Sequence, residues 1–146
     1  MPSLLDIAVR SASRGTMKQL SECALSLENG LDGDFRGRST NRQVTVLALE
    51  DWRQACTALG VDLPWTTRRA NLLIEGVSLF DTTGATLHIG SAILEITGET
   101  EPCARMEEYH PGLRDALSSA WRGGVCCRVA AGGFLNVGAG VDVEGA

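Results

Sequence analysis

Apolar positions fall into short runs separated by glycine turns, and most of these runs predict strands. Residues 4–9 and 24–27 are short alternating or apolar runs, while 44–49 is β-branched and nearly all apolar. Residues 72–74 and 87–89 follow, and 92–97, set off by Gly90 and Gly98, is the clearest strand of the chain. Residues 125–130 and 134–137 flank Gly132-Gly133, a pair that predicts a hairpin because glycine accepts positive φ at both turn positions. A last short strand is expected over 141–143.

Two segments carry a helical period instead. Leu49, Trp52, Cys56 and Leu59 recur at the three-four spacing of one helical face, and Gly60 is a natural stop. Residues 111–121 place Leu113, Leu117 and Trp121 four apart, with Pro111 at a permitted first-turn position and Gly123-Gly124 beyond the end. Eight or nine short strands with 17 glycines predict a mainly β architecture. The expected form is a closed or nearly closed β-barrel with about two α-helices as plugs or caps, since closure removes exposed edges. No repeat or linker interrupts the pattern, so one domain is expected over residues 1–146.

Composition narrows the class. With 44% hydrophobic and 21% charged residues, the chain falls in the ordinary globular range, which excludes global disorder, collagen and coiled coil. A net charge of −5 speaks against nucleic acid as a partner, because such binders present a basic field. No apolar run approaches the roughly 18–20 residues needed to span a bilayer, and Asp6 falls where a secretory signal needs its apolar centre. A soluble, cytoplasmic protein with no membrane partner is the expectation.

Two details go further. Twelve of the 13 basic residues are arginine, and Lys18 is the only lysine. A GC-rich genome produces that bias, and so does a need for guanidinium forks that grip carboxylate or phosphate. The five cysteines are odd in number and contain no C-x-x-C pair, so reduced thiols are expected rather than a disulfide framework or a zinc site.

Three stretches hold candidate chemistry. The first, 30–38, reads G-L-D-G-D-F-R-G-R; its glycines permit tight turns that present backbone N–H groups to an anion, and Arg36, Arg38 and Arg42 add charge. It lacks the G-x-x-x-x-G-K-[S/T] of a P-loop, and a plain surface loop is the alternative. In the second, Arg68-Arg69-Ala70-Asn71 precedes the strand at 72–74. On an extended chain adjacent arginines point apart, so Arg69 and Asn71 would share one face, with solvated charge as the alternative. The third is Pro102-Cys103, just after the clearest strand, where a thiol at a strand-to-helix turn near Arg105 would serve as a nucleophile or soft-metal ligand. Acidic neighbours oppose that activation. Cys56 fits the apolar stripe of the first helix, and of Cys126 and Cys127 one is expected to face inward and one outward. His88 and His110 show no metal-ligand spacing.

Six blocks in order resemble the MOSC family, named for the C-terminal domain of molybdenum-cofactor sulfurases. They are G-L-D-G-D at 30–34, R-Q-V-T-V at 42–46, R-R-A-N-L-L-I-E-G-V at 68–77, L-H-I-G-S-A-I-L-E-I-T-G at 87–98, P-C at 102–103 and W-R-G-G-V at 121–125. Many relatives carry a histidine just after the G-D pair, where this chain has Phe35-Arg36-Gly37, and a late G-D where it has Gly138-Ala139-Gly140. The resemblance implies a β-barrel that binds the molybdenum cofactor (molybdopterin). It also implies a family cysteine, matching Cys103, that carries sulfur or binds molybdenum. With the residues above, the expected cofactor-binding set is Gly33, Asp34, Arg36, Arg42, Arg69 and Asn71, with Cys103 as catalytic residue and metal ligand.

Three functions follow as expectations. One is a sulfur-carrying or cofactor-handling domain, with a cysteine desulfurase as partner. Another is a small molybdoenzyme that reduces N-hydroxylated compounds, which needs an electron-donor protein because the chain has no flavin or iron–sulfur motif. The last is a cofactor-free barrel that binds a partner. Pyridoxal phosphate is not expected on this chain, because its aldimine needs a lysine and Lys18 lies outside every block.

Overall fold

The computed structural model describes residues 2–145. Among these residues eleven strands form two sheets. In chain order they are β1 (Ser3–Val9), β2 (Lys18–Leu20), β3 (Glu22–Ser26), β4 (Gly30–Leu31), β5 (Val44–Ala48) and β6 (Leu72–Glu75). They continue with β7 (Thr86–Ile89), β8 (Ala92–Glu99), β9 (Val125–Ala131), β10 (Gly133–Asn136) and β11 (Val141–Glu144). The larger sheet runs β11-β7-β8-β9-β5-β6-β1-β2, and the smaller runs β10-β3-β4. Three helices, α1 (Leu49–Leu59), α2 (Ala104–Tyr109) and α3 (Leu113–Ser118), complete the fold.

The mainly β expectation holds, with corrections. Among the described residues no ladder closes the large sheet into a barrel. Its curl brings the start of β1 to the turn before β11, where Ser3 bridges Gly140 and the Leu4 N–H donates to the Ala139 carbonyl at 2.9 Å. A turn supplies these bonds, so β2 and β11 remain as edges. The hairpin at Gly132-Gly133 does not form either. β9 pairs with β8 and β5, while β10 crosses to the smaller sheet and pairs with β3. Neither glycine adopts the positive φ that a two-residue hairpin turn demands.

Two apolar layers explain the strongest sequence signals. Val44, Val46, Leu72, Ile74 and Cys127 pack into the core enclosed by the sheet, whereas Leu47 and Leu73 face the opposite way, toward the helices. β5 and β6 are thus covered on both sides, which is why they read as continuous apolar runs rather than alternating ones. They are parallel, and α1 is the crossover that such a pair requires. Its Trp52, Ala55 and Cys56 are buried, and Gly60 ends it in the left-handed conformation, as the stripe predicts. The second helical segment is shorter than its pattern: α3 gives way to a 3-10 turn (Ser119–Trp121) with Ala120 and Trp121 both at positive φ. The six residues of α2 bury only Met106, too little to leave a period in the sequence.

Gly124 connects this turn to β9 at φ 93°, and a Cβ there would lie 2.2 Å from the Val46 carbonyl oxygen on the neighbouring strand. Gly124→Ala is therefore expected to cost about 3 kcal/mol or more. Gly138→Ala, at φ 98° in open space, should cost only the backbone strain, about 1–2 kcal/mol. Urea unfolding of both variants measures the difference.

Candidate functional site

The ends of β1 and β8 meet the starts of β5, β6 and β9 around a cavity of about 180 Å³. Arg10 follows β1, Arg42 precedes β5, and Arg68 and Arg69 precede β6. Arg36 arrives from the glycine-rich loop and Arg105 from α2. Thr45, Thr100, Met106 and Gly123 also contribute, with Cys103 and a single carboxylate, Glu101, on the segment between β8 and α2.

Six guanidiniums thus converge in a protein of net negative charge. Among the described residues none of the six forms an ion pair; the three pairs present, such as Arg14–Glu108, lie elsewhere. Only 8% of Arg10 is exposed, yet its Nη1 has no hydrogen-bond partner, and the buried Nε atoms of Arg36 and Arg69 lack one as well. Burial, reinforced by Arg69 and Arg36, lowers the Arg10 pKa to about 10. Burial, with Arg42 adding to it, brings Arg68 to about 10 as well. Both stay protonated at neutral pH. Arg68 is the anchored member: Nε donates to the Gly123 carbonyl at 3.0 Å and Nη2 to the Thr100 carbonyl at 2.8 Å.

The glycine-rich loop behaves differently from its expected role. Its backbone donors are spent within the protein: Asp34 N–H on Leu31, Phe35 N–H on Arg10, Gly37 N–H on Asp34 and Ser39 N–H on Arg36. It brings side chains to the cavity rather than an anion-binding run of amides. Gly33 lines a separate groove together with Lys18 and Phe134. Asp34 turns inward, accepting from the backbone N–H of Arg10 at 3.1 Å and of Arg36 at 3.3 Å. Its carboxylate therefore fixes the two arginines by their main chains and leaves their guanidiniums free.

Asn71 is likewise consumed. Its Oδ1 accepts from the Thr45 N–H at 3.0 Å, and its Nδ2 donates to the Ala8 carbonyl and to Asp34 Oδ1, both at 3.1 Å. It does not share a face with Arg69. Arg68 ends a 3-10 turn and Arg69 takes the left-handed conformation at φ 67°, so both arginines reach the cavity, contrary to the extended-chain expectation. Arg69 is steered by donating Nη2 to the Gly15 carbonyl.

Of the five free cysteines only Cys103 is exposed, at the residue just before α2. Cys127 sits in the core, where burial raises its pKa far above the usual thiol range. Cys126 is also buried, on the other face of β9, with its Sγ 3.2 Å from Thr100 Oγ1. No group of three His, Cys, Asp or Glu side chains converges among the described residues. The site therefore offers one accessible thiol beside a concentration of cationic donors, a set suited to binding an anion.

A family model for the MOSC domain matches residues 32–142. The chain belongs to the MOSC domain family. Members of this family are associated with handling of the molybdenum cofactor. Solved structures share the fold: YuaD from Bacillus subtilis aligns with TM-score 0.83 and 20% identity, over 98% of this chain and 96% of that one. YiiM from Geobacillus stearothermophilus gives 0.78 and 16%, over 99% and 76%, and YiiM from Escherichia coli gives 0.74 and 16%, over 99% and 70%. No curated protein matches the chain in sequence.

Within the MOSC match, Arg36, Arg42, Arg69 and Cys103 are brought together, and Gly33, Asp34 and Asn71 are not part of the cavity lining. Arg10 precedes the match and was missed by sequence reasoning. Its only trace is the arginine bias of the chain as a whole.

Asn71→Ala is expected to cost about 3 kcal/mol, because it leaves the Thr45 N–H and the Ala8 carbonyl without these partners in a buried setting. Chemical denaturation measures it. Arg10→Met should do the opposite, raising stability by about 1 kcal/mol through removal of a buried, repelled charge. The sign follows from the lowered folded-state pKa: the charged form is disfavoured in the folded protein at neutral pH, and wild-type stability recovers only as pH rises through about 10 toward the ordinary arginine range. A higher thermal midpoint for Arg10→Met at pH 7 is the check.

Proposed function

We propose that the arginine cavity holds the phosphate-bearing end of a molybdenum cofactor and that Cys103 is the thiol that meets its metal or carries its sulfur. The observation that carries this reading is that, of the four buried guanidinium atoms without partners among the described residues, three belong to Arg10, Arg36 and Arg69, which line this cavity; the fourth is Arg122 Nε. Groups buried in this way usually find partners, so their occurrence on three arginines around one cavity fits an anionic ligand. A terminal phosphate suits the donor set, and the exposed thiol of Cys103 suits molybdenum or a transferable sulfur at the cavity edge.

The division of labour among the residues follows from their anchoring. Arg68, tied to Gly123 and Thr100, keeps the β6 and β9 sides of the cavity together. Arg10, Arg36 and Arg69 retain free donors and would grip the anion, while Arg42 and Arg105 add field. Asp34 and Asn71 position the arginine-bearing segments without touching the ligand. Cys103 leaves the fold undisturbed when it reacts, because its side chain is exposed. When bound, the cofactor supplies the redox or sulfur-accepting chemistry and the protein supplies orientation and charge. Either role calls for a second protein, a cysteine desulfurase for sulfur delivery or an electron donor for reduction.

The test is molybdenum and phosphate content of protein purified from a cofactor-competent host. Cys103→Ser swaps a soft thiolate for a hard hydroxyl at an exposed position, so folding should change by less than about 1 kcal/mol while molybdenum or persulfide content collapses. Arg36→Ala should weaken cofactor retention about ten- to a hundredfold, as expected for one charged hydrogen bond. Retained metal and persulfide in Cys103→Ser would remove the thiol from the mechanism. Absence of cofactor from the wild-type protein would favour a partner-binding module. Turnover of an N-hydroxylated compound with a chemical reductant would distinguish a reductase from a sulfur carrier.

A further inference from the structure

Phe35 stands where two of the free arginines meet. The Arg10 guanidinium carbon lies 4.8 Å from the centroid of its ring, and that of Arg36 lies 4.9 Å away. Phe35 is also fixed in place, since its backbone N–H donates to the Arg10 carbonyl at 2.8 Å. The same two arginines carry buried nitrogen atoms without partners, Nη1 of Arg10 and Nε of Arg36. Two like charges this close to one ring would separate unless something held them.

The usual device for holding an arginine is a carboxylate. Here Asp34, next to Phe35 in sequence, accepts from the backbone of Arg10 and Arg36 and attracts their guanidiniums only through space. An aromatic face attracts a guanidinium through its quadrupole while contributing no net charge and accepting no strong hydrogen bond. Phe35 can therefore hold both side chains without neutralising either. A carboxylate in its place would hold them and cancel the charge that an anion needs.

We infer that Phe35 is a positioning residue: its ring holds Arg10 and Arg36 as a paired clamp, free of any direct ion pair, that selects a doubly charged oxyanion of the phosphate class over a singly charged one. This rests on the reading of the cavity as an anion site. One arginine suffices for a monoanion, whereas a phosphate dianion gains from two charges held at one place. The ring's contribution is thus greatest for the dianion.

The probes are inorganic phosphate and nitrate, titrated at pH 8 against the purified wild-type protein and the variants Phe35→Leu, Phe35→Tyr and Arg69→Ala. Calorimetry gives the affinities, and the arginine Nε–H resonances give the positions of the side chains. Phe35→Leu should bind phosphate about tenfold more weakly and change nitrate binding by less than about twofold, while Phe35→Tyr restores phosphate to within about twofold of wild type. A merely structural role would weaken both anions alike. In the wild-type protein the Nε–H resonances of Arg10 and Arg36 should be ring-current shifted and should move on phosphate addition, a readout that stands even if Phe35→Leu does not fold. Undiminished phosphate binding by Phe35→Leu, with Arg69→Ala weakened, would overturn the role of the ring and leave the anion site intact. Failure of the wild-type protein to bind phosphate would overturn both.

Discussion

One buried amide holds the cavity end of this protein together. Asn71 joins β1 through Ala8, β5 through Thr45 and the glycine-rich loop through Asp34, using both ends of its side chain. Its backbone joins the same knot, with the N–H donating to the Thr45 carbonyl and the carbonyl accepting from Ala8. A fully satisfied polar junction of this kind fixes geometry more sharply than apolar contact, because each partner has a direction as well as a distance. Segments far apart in sequence are held in register by it, and each carries an arginine to the same cavity.

That convergence has a cost of its own. Six guanidiniums are gathered with one carboxylate, Glu101, among the lining residues. Burial and mutual repulsion lower the pKa values of Arg10, Arg36 and Arg68, which marks the charged cavity as unfavourable to the folded state at neutral pH. The surrounding apolar layers offset it. β5 and β6, buried on both faces between the inner core and the helices, provide a rigid base on which such a site can stand. Strain held at a site and balanced by packing elsewhere is the usual arrangement of binding centres.

Much of the fold was legible in the chain. Helix α1 was readable to the residue, because a full stripe of buried positions and a glycine stop both lie within its sequence. The nine expected strands all appear, while β2 and β4 were not seen, being only three and two residues long with little periodicity to show. Pairing was less accessible. Gly132-Gly133 has the composition of a hairpin turn, but β10 finds its partner in β3, over a hundred residues earlier. Closure failed for a related reason: it depends on whether edge strands meet in register, and a turn intervened.

For the site, the sequence by itself determined the chemistry available: an arginine-rich chain, a thiol set apart from the apolar stripes, and the family blocks that order them. Of the residues it singles out, Arg36, Arg42, Arg69 and Cys103 line the cavity, and each lies in or beside a recognisable local block. Tertiary structure alone decided which groups face the cavity. Arg10 has no local signal, Arg68 is turned inward by a 3-10 turn, and Asp34 and Asn71 are withdrawn into the protein's own bonds. Local pattern fixes what a segment is, since periodicity and turn chemistry act within a few residues. Which donors remain free is settled only when distant strands pair and the strongest acceptors have been claimed.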